Sequence, residues 1–304
     1  MRQTSDLITA IRTISRNSAN SDGTFAITDA EIVQYLNDAQ DRLQNLLCCT
    51  KNIAKIFVTE KIIPLVAAQE AYSVSDRVLL NKQFEYVEYS ATGLVGDYIR
   101  LKKYDYFNRD TNSTTYPQGY FKRGGQIMLQ PTPSTAQGAL RISYERELDD
   151  LSLRCGTVTT ATLTQLDIAD VVVAALPNPN DVICVVDVYG NRLATNIPVT
   201  MYAGGTTSTA DITPYLATGK VIGDLVGGYV TTGRFSTAIS NLPDNCERYL
   251  IHYPAAELFH RDSSQDFAKE SEIVSQIETD IVKTMASQTS EVQFIPQMNQ
   301  YEYW

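Results

Sequence analysis

Residues 27–47 read ITDAEIVQYLNDAQDRLQNLL, and this stretch predicts the element on which the fold is built. Thr28 and Glu31 stand three residues apart, which is the spacing of a capping box at the start of a helix. Ile27 and Ile32 flank the box in the positions of a hydrophobic staple. Apolar side chains then recur every three or four residues, as one face of a helix requires: Ile32, Tyr35, Leu36, Ala39, Leu43, Leu46 and Leu47. The pattern predicts an amphipathic helix of about five turns, whose apolar face needs a partner.

Three further helical segments are predicted, one before this helix and two near the other end of the chain. Apolar residues have helical spacing over 7–14, again over 249–259, and again over 267–285. A break at 262–264 separates the last two segments. Because two amphipathic helices cannot bury both of their apolar faces alone, we expect the helices of both chain ends to pack together as a bundle.

The region between the helical ends has the pattern of β-structure. From Ile56 to Val230, β-branched and aromatic residues come in short runs separated by turn residues. Residues 120–129 and 182–200 each predict a hairpin with a glycine-containing turn. No helical pattern here is long enough for repeated βαβ units. The sequence therefore predicts an α+β fold, with a helical bundle and a large inserted antiparallel β-sandwich or barrel.

The predicted organisation has five parts. Bundle helices occupy 1–55, a β domain occupies 56–155, and a further β-rich insertion occupies 156–242. The C-terminal bundle helices occupy 243–288, and an extended docking tail occupies 289–304.

Composition narrows the class of protein. The 304 residues carry a net charge of −10, which argues against a surface that grips nucleic acid by neutralising phosphates. The densest basic stretches, at 100–103 and 122–123, are short and are interpreted as solvated strand faces. No membrane span is expected, since no apolar run approaches about 18–20 residues. No secretory signal is expected either, because the N-terminus has only a short apolar stretch and no small-residue cleavage site. The five cysteines include an adjacent pair, and we expect reduced, buried or half-buried thiols in the cytoplasm.

No residue pattern predicts catalysis, a cofactor or a metal site. His252 and His260 are eight residues apart on one predicted helix, too far to share a metal without a third ligand. Asp149 and Asp150 are interpreted as a solvated turn. The chain has 18 tyrosines, which crowd the segment from Tyr86 to Tyr120, and they are interpreted as strand residues with rings at the sheet surface. The alternative is an aromatic surface that binds a partner or a carbohydrate.

The last residues of the chain form the predicted binding site. Large apolar and aromatic side chains follow the final helix and would be costly to expose. The tail either docks on its own subunit or packs on a neighbouring protein. We expect the contacts to a partner to come from these residues: Val292, Phe294, Ile295, Met298, Tyr301, Tyr303 and Trp304.

The order of these segments resembles the head-to-tail adaptor proteins of tailed bacteriophages. The similarity is in 27–43, in 116–133, in 140–144 and in 255–264. The resemblance implies a non-enzymatic virion protein that forms a homo-oligomeric ring, commonly of twelve copies, beneath the portal protein. It also implies contact with a tail or nozzle protein, and DNA passing through the lumen without specific binding. An acidic subunit would suit such a conduit if its excess charge lines the lumen, because it would repel DNA.

Two alternatives remain open on the sequence. One is another neck or tail component, such as a tail terminator or a fibre-attachment ring. The other is a carbohydrate-binding or glycan-cleaving β domain with a helical anchor.

Overall fold

The structure is a computed structural model that describes most of the chain. The described residues are 2–17, 26–49, 57–73, 77, 86–94, 96–105, 116–123, 126–172, 177, 181–203, 205–209, 211–217, 219–262 and 264–291. Four α-helices occur among them: α1 (Thr4–Ile14), α2 (Asp29–Cys49), α3 (Glu247–Arg261) and α4 (Asp266–Glu291).

The start of α2 has the predicted capping box. The Thr28 backbone N–H donates to Glu31 Oε2 at 2.8 Å, and the Glu31 N–H donates to Thr28 Oγ1 at 3.3 Å. Ile27 and Ile32 are both buried, as a hydrophobic staple requires. Arg12 on α1 donates to the Ile27 carbonyl at 2.9 Å, so the box is also tied to the preceding helix.

The helices of the two chain ends contact each other. α1 packs on α3, and α3 packs on α4. A backbone bridge joins Gln3, just before α1, to Ile239, and the Thr4 N–H donates to the Ala238 carbonyl at 2.8 Å. Residues more than 230 positions apart in sequence therefore lie side by side.

The chain forms two compact units. The first unit comprises Met1–Leu47 and Leu148–Trp304, and the second comprises Cys48–Glu147. In the described part of the first unit, the strands are β9 (Asp150–Leu151), β10 (Arg154–Ala161), β11 (Gln165–Ala169), β12 (Val182–Val186), β13 (Arg192–Ala203), β14 (Thr206–Thr209), β15 (Tyr229–Thr232) and β16 (Ser236–Thr237).

Six of these strands close into a barrel, in the order β10-β11-β14-β13-β12-β15, and all neighbours are antiparallel. Strands β12, β13 and β14 are consecutive neighbours, and β14 also pairs with β11, the strand that precedes all three in sequence. This arrangement is a Greek-key connection. The predicted hairpin at 182–200 is confirmed as β12 and β13. The barrel interior is mostly apolar, with Val158, Leu166, Ile183, Ile197 and Val230 all buried. The polar Thr207 of β14, which is paired with Leu166, is also buried.

The second unit contains two four-stranded sheets in its described part. The strands are β1 (Val58–Pro64), β2 (Ala71–Ser73), β3 (Tyr86–Ser90), β4 (Ile99–Arg100), β5 (Lys102–Lys103), β6 (Gly119–Arg123), β7 (Gln126–Gln130) and β8 (Ala139–Glu145). One sheet has the order β1-β8-β3-β4 and the other β2-β7-β6-β5. The predicted pairing of 120–123 with 126–129 is confirmed as β6 and β7, whereas the turn residues 124 and 125 lie outside the described residues.

The side chains between these sheets form a second core, which includes Val87, Ile127, Leu129, Leu140 and Ile142. Helices and several sheets thus share one chain, and the expected α+β class is confirmed.

Candidate assembly surfaces

The predicted docking residues lie outside the described residues. Val292, Phe294, Ile295, Met298, Tyr301, Tyr303 and Trp304 follow Glu291, where α4 ends. Their role in binding stays a prediction.

A row of polar side chains on α2 holds the segment that leads into the barrel. Asn37 accepts from the Leu151 N–H at 2.6 Å and donates to the Leu151 carbonyl at 3.1 Å. One turn on, Gln40 donates to the Asp149 carbonyl at 2.7 Å, and Gln44 accepts from the Leu148 N–H at 3.2 Å. Gln40 and Gln44 are each 1% exposed, so these bonds are shielded from water. The row fixes the register between helix and strand, because a slip would leave buried amides unpaired.

A buried ion pair continues this connection into the barrel. Arg192, at the start of β13, donates to both carboxylate oxygens of Asp149, with the Nε–Oδ2 distance at 2.7 Å. The Asp149 side chain is 1% exposed and that of Arg192 is 21% exposed. The guanidinium also lies 5.3 Å from the centre of the Phe235 ring. The expectation of a solvated turn is therefore wrong for Asp149, whose buried carboxylate pairs with the Arg192 guanidinium. Asp150, the next residue, is exposed.

One carboxylate joins three of the helices. Glu278 on α4 accepts from the Tyr249 hydroxyl of α3 at 3.0 Å, and lies 3.3 Å from Arg42 Nε of α2. The Arg42 guanidinium lies 5.1 Å from the centre of the Tyr253 ring, which stacks on Tyr249. Burial, with the Glu278 carboxylate as the next cause, raises the pKa of the Tyr249 hydroxyl and keeps it a neutral donor.

The two histidines are occupied in helix packing. His252 Nδ1 on α3 hydrogen-bonds Glu270 Oε1 on α4, whose carboxylate is buried. The His260 ring lies 4.8 Å, centre to centre, from the Phe267 ring. Within the described ranges, no group of three or more His, Cys, Asp and Glu side chains is placed to hold a metal ion.

The cysteines are free thiols, and four of them are buried. Burial raises the pKa of Cys155 and of Cys246 to about 12, which makes both poor nucleophiles at neutral pH. Cys49, at the end of α2, is exposed, so the expectation of buried or half-buried thiols is wrong for this residue. The last helical turn of α2 presents Cys48 inward and Cys49 outward.

A cavity of about 410 Å³ lies beside the barrel and is lined by Asp181, Val182, Thr232, Gly233 and Arg234. Asp181 is the one carboxylate among these lining residues. Hydrolysis of a glycosidic bond by paired carboxylates needs two, placed on either side of the bond. Among the described residues, the cavity therefore offers one of the two carboxylates that such a hydrolysis needs.

In the second unit, residues 99–104 form the edge of both sheets; we call them the edge segment. The Leu101 N–H donates to the Val87 carbonyl at 2.9 Å on one side. The Tyr104 N–H donates to the Tyr120 carbonyl at 2.8 Å on the other side. Gly119 allows this close approach, because a Cβ there would lie 2.5 Å from the Lys102 carbonyl oxygen.

The pairing of β5 with β6 brings together the two basic stretches that the sequence keeps apart. We call Arg100, Lys102, Lys103, Lys122 and Arg123 the basic patch. All are exposed except Lys122, which is half-buried. Lys103 pairs with Tyr120, which is two residues before Lys122 and on the same face of β6. Burial lowers the pKa of Lys122, and the charge of Lys103 lowers it further.

The tyrosines of this unit divide between core and surface. Tyr89 and Tyr120 are buried, so the expectation of rings at the sheet surface is wrong for these two. Tyr86 and Tyr104 are half-buried, and each lies beside a cation of the basic patch: Arg100 at 5.4 Å and Lys102 at 5.7 Å. Strand alternation explains the division, since one face of each sheet is turned to the core.

Together, these features describe a chain whose helices and barrel are connected by buried and half-buried polar side chains. None of the described helices is both long enough and apolar enough to cross a lipid bilayer. A family model described as SU10 adaptor protein matches residues 3–176, which is more than half of the chain. The chain belongs to the SU10 adaptor protein family, a family of phage structural proteins. No curated protein matches it significantly.

Sequence reasoning missed the α2 row and the ion pair for different reasons. Asn37, Gln40 and Gln44 recur at helical spacing beside the apolar stripe, which is a usable signal for a buried polar row. Asp149 and Arg192 are 43 positions apart, and nothing local marks either as a partner of the other.

Proposed function

We propose that this chain is a head-to-tail adaptor: a subunit of a homo-oligomeric ring of twelve copies beneath the portal protein. The ring joins the capsid to a tail or nozzle protein and forms part of the DNA conduit. The observation that carries the proposal is the family match, which spans α1, α2, all the described strands of the second unit and the first two barrel strands. The role is structural, with no catalysis and no cofactor, and DNA passes without specific binding.

The helices of both chain ends act as one bundle in this proposal, with 1–55 and 243–288 as its two parts. The contacts of α3 with α1 and α4 support it, as does the ion pair between Arg42 on α2 and Glu278 on α4. The bundle carries the β regions, 56–155 and 156–242, and places the tail 289–304 next to a neighbouring protein. Val292, Phe294 and Trp304 are among the tail residues that bind the portal or the next subunit.

Removal of residues 291–304 tests this role. We expect the truncated chain to keep its far-UV circular dichroism spectrum but to lose cosedimentation with portal rings, because the apolar contacts are removed. As a matched pair of full-length variants, alanine replaces Tyr301, Tyr303 and Trp304 in one, and Gln297, Asn299 and Gln300 in the other. Only the first should lose portal binding. Cosedimentation of the truncated chain at the level of the full-length chain would contradict the docking role.

The position of the ring is tested separately, by electron microscopy of the particle vertex. A twelve-fold ring directly beneath the portal is expected. A ring at the far end of the tail tube, or at the base of the fibres, would instead identify a terminator or a fibre-attachment component.

A further inference from the structure

The excess of acidic over basic residues lies in one of the two units of the chain. Residues 48–147 contain 13 of the 25 Lys and Arg and 10 of the 35 Asp and Glu, which leaves a net charge of +3. The first unit contains the other 12 basic and 25 acidic residues, which leaves −13. Within it, α2 and α4 alone hold ten acidic residues against three basic ones. A copy of this chain therefore presents both signs of charge, on different units.

The basic patch concentrates the positive charge at a sheet edge. Pairing with a second basic edge in a two-fold arrangement is disfavoured, because like charges would then face each other. A negative surface on a different part of the neighbouring copy fits it, and such a contact is heterologous. Heterologous contacts generate rings when the rotation closes, which is the assembly proposed above.

The surroundings of the patch favour a protein surface over nucleic acid as its partner. Ile99 in the edge segment is 71% exposed, and Tyr116 is 45% exposed. The Tyr116 ring lies 5.9 Å from that of Tyr89, which pairs with Ile99 across β3 and β4. Exposed apolar and aromatic side chains beside arginine are typical of protein interfaces. Contacts to DNA phosphates come instead from cations, polar side chains and backbone N–H groups, and they give an exposed side chain such as Ile99 no partner.

We propose that the basic patch docks onto the exposed carboxylates of α2 and α4 of a second copy, and that this contact closes the ring. The carboxylates concerned are Asp38 and Asp41 on α2, and Glu272 and Asp280 on α4, all of which are exposed. This inference rests on the proposed ring and names the contact that builds it. Because both surfaces are exposed, added salt weakens the contact.

Charge reversal tests the proposal against a charge-preserving control. The full-length chain, Lys102→Glu/Lys103→Glu and Lys102→Arg/Lys103→Arg are compared for assembly by native mass spectrometry and sedimentation, alone and on portal rings. The reversed variant should need about tenfold or more protein to assemble, while the arginine variant assembles like the unaltered chain. Circular dichroism shows whether the variants remain folded.

Zero-length carbodiimide crosslinking of a mixture of isotopically light and heavy chains then identifies the partner surface. Light-to-heavy crosslinks from Lys102 or Lys103 to Asp38, Asp41, Glu272 or Asp280 are expected. Assembly of the reversed variant at the unaltered concentration, or crosslinks only to carboxylates of 48–147, would overturn the inference while leaving the ring intact. Binding of a 30-base-pair duplex that is lost on reversal, without an effect on assembly, would assign the patch to DNA instead. An unaltered chain that stays monomeric even on portal rings would overturn both the contact and the ring.

Discussion

Replacement of Asp149 by Asn removes the charge that pairs with Arg192 while keeping the shape of the side chain. Breaking a buried ion pair by removing one partner costs about 3–5 kcal/mol, because the other charge is left buried. The Arg192 side chain is 21% exposed, so water solvates part of the guanidinium that the carboxylate no longer contacts. We therefore expect a loss of about 2–3 kcal/mol in the free energy of unfolding. For a unit of this size, that loss lowers the Tm by about 5–10 °C.

The neighbouring carboxylate supplies the control. Asp150→Asn makes the same chemical change one residue away on an exposed side chain, and its effect should stay within about 0.5 kcal/mol. Urea unfolding is followed by far-UV circular dichroism, since the one tryptophan, Trp304, lies in the tail. Arg192→Gln completes a double-mutant cycle, in which we expect a coupling energy above about 1 kcal/mol. Equal stabilities for Asp149→Asn and Asp150→Asn would refute a structural role for the pair.

Two further results are expected from the isolated chain. Thr28→Ala should cost about 1 kcal/mol at pH 7 by removing the cap of α2, whereas Thr28→Ser should cost much less. The hydrogen bonds from Thr28 lower the pKa of Glu31 below 4.5. The part of the capping contribution that comes from the Glu31 carboxylate is therefore present above that pH and is lost as the pH falls through the lowered value. Thermal melts of both variants near pH 7 and pH 2 measure this, and an unchanged difference between them at pH 2 would contradict it. Maleimide should add once to the native chain, at Cys49, because this thiol is exposed and the other four are buried. The Cys49→Ser variant should gain no adduct. Rapid labelling of Cys155 would contradict this expectation and show that the barrel interior is open to reagents.

Local signals predicted the elements that depend on neighbours in sequence. The capping box at Thr28 and Glu31 and the hydrophobic staple around it are both set by residues within one or two helical turns. The same is true of the β6–β7 pairing, where a two-residue connection leaves one antiparallel register available. These features are determined by the sequence because the interactions that create them are made by residues a few positions apart.

The closed barrel, the ion pair and the basic patch were decided by tertiary structure. Asp149 and Asp150 together look like a surface turn in the sequence. The Asp149 carboxylate can be buried because β13 places Arg192, 43 positions away, beside it. Lys103 and Lys122 belong to two short basic stretches that are separate in sequence. They form one basic patch because β5 lies against β6. The −10 net charge of the whole chain likewise conceals a +3 unit and a −13 unit. The local charge and the burial of a residue depend on which residues lie next to it in space. For these residues, the order of the strands in the sheets decides which residues those are, and the distance along the sequence does not.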